Sequence, residues 1–362
     1  MHRVPTLPLP VSTESALAQV RARLEEYVAR CVAGASGPES ERLWRVAGDS
    51  LRGGKLVRPA ILLVAAEALD GEEHRAVDSG ARLDLAVAVE LLHSAFLLHD
   101  DVIDHDVLRR GEPNLIGRAH EVAGQELGRA SHRRLGEAAG ILAADVLLAD
   151  AHQLVARLDV PHDVRLRMLD VLGETLAQSV AGELADVLYS LPETSPDVEA
   201  VLAMSARKTG VYTVRLPLLL ALAVAGAQVP TGLEEYCTSL GLAFQLQDDV
   251  LGVFGDPEEV GKDPYSDIRE GKVTALVAWV RAGADWPRLA SLLGRGDLTA
   301  REAQEAVDLI ESSGARAAVE QDAAMHLADA LAQAARIGEQ PGYAAFGAVL
   351  EGVARAIAER RS

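Results

Sequence analysis

The chain has 362 residues, 49% of them hydrophobic and 25% charged, which is enough apolar content for a large core and too little bias for disorder. Its 54 acidic against 35 basic residues give a net charge of −19, which argues against a nucleic-acid partner and against an anionic membrane surface, since both need a basic face. Two cysteines, Cys31 and Cys237, exclude a disulfide framework and fit a reduced, cytoplasmic protein.

Residues 1–11 are broken by Pro5, Pro8 and Pro10 and read as a flexible arm without the apolar region of a signal peptide. From 12 to 362 apolar residues recur at three- and four-residue spacing and β-branched alternation is scarce, so the expectation is an all-α chain and a single domain. SGPE at Ser36 has the pattern of a capping box with Glu39. Breaks are expected near Gly53-Gly54, Asp70-Gly71, Gly111–Asn114, Asp159–His162, Leu191–Pro196, Val229–Gly232 and Gly255–Asp267. Leu85–Leu98, Gly140–Ala149, Leu216–Ala225 and Leu240–Phe254 are apolar on all faces and are expected as central helices surrounded by others. The stretch from Leu216 is too short to span a bilayer, and no integral membrane segment is expected.

Two of these segments end in acid. HSAFLLHDDVIDHD carries Asp100, Asp101 and Asp104; QLQDDVLGVFGD carries Asp248 and Asp249. Asp100 and Asp104 are four apart and share a helix face. Two acidic pairs on two central helices suggest one cavity in which carboxylates face each other, and like charges so placed repel unless cations sit between them. Mg²⁺ is the expected guest, because it takes one or two carboxylates and leaves its other positions to water or phosphate oxygens. A solvated helix end is the plain alternative for any lone Asp-Asp pair.

A phosphorylated ligand also needs cationic clamps. GGKLVRP supplies Lys55 and Arg58, RRGEPN supplies Arg109 and Arg110, ARKTG supplies Lys208 and Thr209, and GKDPYSDIREGK places Lys262 and Lys272 around Asp267. In this order, GGKLVRP, DDVID followed by RRGEP, KTG, FQLQDD and GK…D…GK resemble the trans-isoprenyl diphosphate synthase (polyprenyl synthetase) family, among them the bacterial short-chain geranylgeranyl and farnesyl diphosphate synthases. The resemblance runs over about Leu51 to Leu276.

The resemblance implies a single large bundle of mostly antiparallel helices around a deep central cavity, usually a homodimer. It implies that Asp100 and Asp104, with Asp101 near, hold two Mg²⁺ ions and Asp248 a third, with Asp249 and Asp267 supporting its water shell. Arg109, Lys208 and Lys262 would clamp an allylic diphosphate. Lys55, Arg58, His93 and Arg110 would receive isopentenyl diphosphate, with Lys272 also in the substrate-binding set. Thr209 and Gln245 would line the path of the reacting carbons, and Asp186 matches a polar wall residue, although Glu183 stands where the family has Gln. The implied reaction is ionisation of the allylic diphosphate, condensation with isopentenyl diphosphate and loss of a proton. No Ser-His-Asp or reactive-Cys setting competes with it.

Phe96 lies four residues before Asp100, one turn below it on the same face, where its ring would stop a growing tail; Ala95 beside it is too small to act as a second block. A bulky residue near there accompanies short products in the family, so a geranylgeranyl product is expected first and farnesyl second. The second motif departs from DDxxD, because Gly252 occupies the last acidic position and Asp256 follows four later. That departure keeps open a class I terpene cyclase of the same fold, against which Lys55, Arg58 and Arg110 speak. An HD-type metal phosphohydrolase built on His99-Asp100 with His74, His93 and His105 is a more distant alternative. A non-catalytic helical partner subunit is another, although its mark would be a degraded first motif and this one is whole.

Overall fold

The computed structural model describes residues 11–52, 54–70, 79–109, 111–191, 193–255 and 265–358. In chain order the helices are α1 (Val11–Ala33), α2 (Pro38–Arg52), α3 (Val57–Ala68), α4 (Ser79–Ile103), α5 (Ala119–Ala123), α6 (Arg129–Ala156), α7 (His162–Tyr189), α8 (Val198–Ser205), α9 (Leu216–Ala225), α10 (Leu233–Phe254), α11 (Ser266–Glu270), α12 (Ala275–Arg281), α13 (Trp286–Ala290), α14 (Ala300–Ser312), α15 (Ala315–Gly338) and α16 (Ala344–Ala358). Ala206–Arg215, between α8 and α9, is π-helical. Leu108–Arg109 (β1) and Glu112–Pro113 (β2) form a two-residue antiparallel hairpin. The all-α expectation stands. Of the expected arm, only Val11 is among the described residues, and it opens α1.

Two compact units divide the chain, Leu9–Leu172 with Pro217–Gln228 and Gly173–Leu216 with Val229–Ser362. Two of the three boundaries carry no linker, since residue 172 lies inside α7 and residue 216 opens α9; the third, after Gln228, falls in the short loop between α9 and α10. A composition shift could not reveal the two boundaries that fall within continuous helix.

In the first unit α4 is the central element. Leu85, Leu91, Leu92 and Ala95 are fully buried, and each leucine so buried contributes about 1.5–3 kcal/mol. α6 approaches it closely through small residues. A Cβ on Gly140 would meet Val102 Cγ2 at 2.7 Å, so the helices are nearer there than any side chain permits. α9 is buried along its length, as expected of the stretch from Leu216.

Gly140–Ala149 differs from expectation. Ala143, Ala144 and Leu147 are buried, yet Leu142 is 60% exposed, with Ile141 and Val146 also exposed. An all-round apolar sequence does not reveal whether the second face is covered within the same chain. By length and composition alone, Arg129–Ala156 and Val198–Ala225 could each cross a membrane; the second is mostly buried, as a core helix is.

In the second unit α10 packs against α15 and against the π-helical stretch. At that second contact Gly241 and Gly210 face each other, and a Cβ on Gly241 would lie 2.7 Å from Gly210 Cα. Two local expectations shift. α2 opens at Pro38, which puts Gly37 rather than Ser36 beside it; a capping box is instead made by Thr299 and Glu302 at the start of α14.

Candidate active site

The first acidic cluster ends α4. The helix stops in a Schellman arrangement: Asp106 N donates to Asp101 O at 2.9 Å and His105 N to Val102 O at 3.4 Å, with His105 in the left-handed region at φ 59°. The chain then doubles back. Asn114 ties this return, its Nδ2 donating to Asp106 O at 2.9 Å and its Oδ1 accepting from Gly117 N at 3.0 Å. β1 therefore carries Arg109 over the helix end it has just left.

Arg109 Nε donates to Asp101 Oδ1 at 2.7 Å and Nη2 contacts the same oxygen. Nη2 also lies 3.5 Å from Asp100 Oδ2. Asp101 is 2% exposed. Burial pushes its carboxyl up to about 6, against the pull of Arg109 and with the help of Asp100 and Asp106. Asp100 and Asp104 remain half-exposed on their shared face. Phe96 and His93 are half-buried on the same uninterrupted helix, and Ala95 is fully buried.

Lys55 and Arg58 straddle the start of α3, Lys55 exposed in the preceding loop and Arg58 half-buried in the first turn. Pro59 is tolerated there because first-turn amides have no helical acceptor. A helix N-terminus flanked by two cations is suited to an anion.

The second cluster lies on α10. Asp249 is 7% exposed; Gln245 Nε2 donates to its Oδ1 at 2.8 Å and Ala275 N, at the start of α12, to its Oδ2 at 3.4 Å. Burial raises this carboxyl to about 7, opposed by those two donors and reinforced by Asp267 and Asp248. Asp248 is exposed. Gly252 lies one turn further on, and a Cβ there would sit 3.4 Å from Asp267 Oδ2. Asp267 is held in α11, which closes in a second Schellman arrangement: Gly271 adopts φ 75° and Lys272 N donates to Asp267 O at 3.0 Å. Lys272 Nζ pairs with Glu270 at 3.1 Å.

Lys208 and Thr209 lie in the π-helical stretch, a feature that sequence periodicity did not disclose and that recurs at functional sites. Gly182 of α7 makes room for this backbone; a Cβ there would overlap Lys208 N at 2.3 Å. Lys208 Nζ consequently reaches the next turn of α7, donating to Asp186 Oδ2 at 2.6 Å and to Glu183 Oε1 at 3.1 Å. Glu183 thus gives Lys208 a second carboxylate.

Arg110, Lys262, His74 and Asp256 lie outside the described residues. Of the other histidines a hydrolase would recruit, His99 Nε2 is 3.4 Å from Asp145 Oδ1 and His105 Nδ1 is 3.6 Å from Glu137 Oε1. Among the described residues no three His, Cys, Asp or Glu side chains close into a metal cage. A hard cation that completes its shell with water and phosphate oxygens needs no such cage from the protein.

The chain is thus an all-α protein with one Asp-Asp pair at the end of α4 and a second on α10. The profile of the polyprenyl synthetase family matches residues 41–310, and the chain belongs to that family. It is a prenyltransferase, a short-chain trans-prenyl diphosphate synthase. It is 34% identical to the (2E,6E)-farnesyl diphosphate synthase of Mycobacterium tuberculosis over 79% of this chain and 74% of that one. It is 34% identical to the geranylgeranyl diphosphate synthase of Methanosarcina mazei over 72% and 73% respectively. The crystal structure of geranylgeranyl pyrophosphate synthase from Corynebacterium glutamicum, complexed with isoprenyl diphosphate and magnesium, matches with a TM-score of 0.83 at 27% identity, covering 95% of this chain and 98% of that one.

Proposed function

We propose that the protein condenses an allylic diphosphate with isopentenyl diphosphate to give an all-trans geranylgeranyl diphosphate, with farnesyl diphosphate the second choice. The observation that carries this reading is the end of α4, where Asp101 is buried on Arg109 while Asp100 and Asp104 are half-exposed on one face. Bound Mg²⁺, three ions in this reading, would neutralise charge growing on the departing pyrophosphate. Asp100, Asp104 and Asp248 are its ligands, with Asp249 and Asp267 behind them.

Arg109, Lys208 and Lys262 hold the allylic diphosphate so that its C–O bond breaks and the pyrophosphate leaves with the electron pair. Lys55, Arg58, His93 and Arg110 hold isopentenyl diphosphate, with Lys272 a further substrate-binding cation, so that the double bond attacks the allylic cation. The proton lost from the new tertiary cation passes to the released pyrophosphate. Thr209 and Gln245 line the path of the reacting carbons, and the apolar residues of α4 keep water from the cation. Phe96 limits the tail, with the small Ala95 adding no second block.

The exposed Ile141, Leu142 and Val146 of α6 support a homodimer, since a second copy would cover them. Sedimentation of the parent and of Leu142→Glu tests this; a monomeric parent refutes it. The catalytic reading is tested by incubating the protein with Mg²⁺, isopentenyl diphosphate and primers from dimethylallyl to farnesyl diphosphate, then sizing the products. Elongated prenyl diphosphates are expected. Hydrocarbon release from geranylgeranyl diphosphate alone would overturn it in favour of a cyclase.

A further inference from the structure

The loop that carries Lys55 is gripped at the residue before it. Arg21 Nη1, from α1, donates to Gly54 O at 3.0 Å. On its other side Gly54 faces Glu90 of α4. A Cβ on Gly54 would lie 2.5 Å from Glu90 Oε1 and 3.6 Å from its Cδ, so no other residue fits without moving the carboxylate. Glu90 is 3% exposed and its surroundings leave little room for such a move. The residue after Lys55 is fixed too. Leu56 is 2% exposed and sits at φ 53°, ψ 35°, in the left-handed region that side chains with a Cβ avoid. Such a conformation persists only where the surroundings over-determine it. Lys55 alone of the three is exposed.

We propose that Arg21 and Glu90 are positioning residues for Lys55, holding the Gly54–Leu56 backbone in one conformation so that the ammonium is aimed before a diphosphate arrives. A carboxylate cannot itself receive a diphosphate, so Glu90 acts through Gly54. Neither residue belongs to the motifs that carry the family resemblance. The inference rests on the assignment of Lys55 and Arg58 to isopentenyl diphosphate. A loop ordered in advance does not lose its backbone freedom on binding, so loosening it weakens that one substrate and leaves the allylic one alone.

The test is steady-state kinetics with isopentenyl diphosphate and the allylic primer varied separately, on proteins checked by circular dichroism. Gly54→Ala is expected to raise KM for isopentenyl diphosphate about tenfold, or about 1.4 kcal/mol, with KM for the primer within about twofold. Glu90→Asp withdraws the carboxylate by one methylene, so the Gly54→Ala/Glu90→Asp double variant recovers most of the loss. Arg21→Ala, at an exposed side chain, raises the same KM severalfold and serves even if the glycine variant folds poorly. Lys55→Ala separates the two levels. If it leaves KM for isopentenyl diphosphate unchanged, the assignment of Lys55 and the positioning inference both fail. If it raises that KM while Gly54→Ala and Arg21→Ala do not, positioning alone is overturned. A double variant worse than the product of the single effects also overturns it.

Discussion

Arg109→Met keeps the bulk over Asp101 and removes the charge, and its cost can be worked from the carboxyl it balances. Asp101 is 2% exposed, and in the folded protein its carboxyl is pushed up to about 6 from 3.8. A carboxyl whose folded value lies above its unfolded one takes up a proton on folding. Its ionised form therefore weighs on stability progressively as the pH climbs through that window, by about 1.4 kcal/mol per pH unit and about 3 kcal/mol in all for the parent. Above pH 6 the parent has no more to lose from this group. In the variant the attraction of Arg109 is gone, the folded value moves higher, and the loss continues. The two proteins should thus converge near pH 5.5 and separate by about 2–3 kcal/mol at pH 8. Urea unfolding without Mg²⁺ and with chelator, followed at half-unit pH steps, measures the gap. A gap that is constant with pH, or that widens as the pH falls, refutes the assignment of Arg109 as the counter-charge of a buried carboxylate.

Asp100→Ala and Asp248→Ala should each abolish turnover with helical content retained in circular dichroism; near-normal product formation in either contradicts the metal-ligand roles. Phe96→Ala should lengthen the product, read by chromatography of the dephosphorylated prenols, and an unchanged chain length removes Phe96 as the stop. Gly252→Asp restores the family spacing but sets a second carboxylate against Asp267, at a cost of about 2–3 kcal/mol for charges about 6 Å apart at an effective dielectric of about 20. Its stability in chelator should drop, and added Mg²⁺ should stabilise it more than the parent; equal responses to Mg²⁺ would count against a cation site at this face.

The helices and most of their ends were legible because apolar spacing and Gly/Pro breaks report local structure. The chain does stop α3 near Asp70, α6 near Asp159 and α10 at Phe254. Less legible were features set by what lies alongside. The π-helical stretch over Lys208 has no spacing signature of its own, and only Gly182 and Gly210, both pressed against neighbouring backbone, hint at it. The outer face of α6 read as core, because hydrophobicity alone does not say whether a cover belongs to the same chain. Glu90 gave no sign either; an acid one turn before His93 gains meaning only once Gly54 is beside it.

The two Asp-Asp pairs show why adjacent acids do different work. Neighbouring helical positions point roughly 100° apart, so both members of a pair cannot occupy one face. Asp101 and Asp249 turn inward, and each is balanced by what its own unit supplies: a guanidinium returned by a hairpin in one case, a side-chain amide and a helix-start N–H in the other. Asp100 and Asp248 are left toward solvent. The outward acid then needs a companion one turn on. After Asp100 that companion is Asp104. After Asp248 the position is Gly252, and the carboxylate beside it comes from Asp267 on a separate helix, 3.4 Å from where a Cβ would be. The gap in the second motif is therefore a gap in the linear pattern, because a carboxylate still arrives at that face.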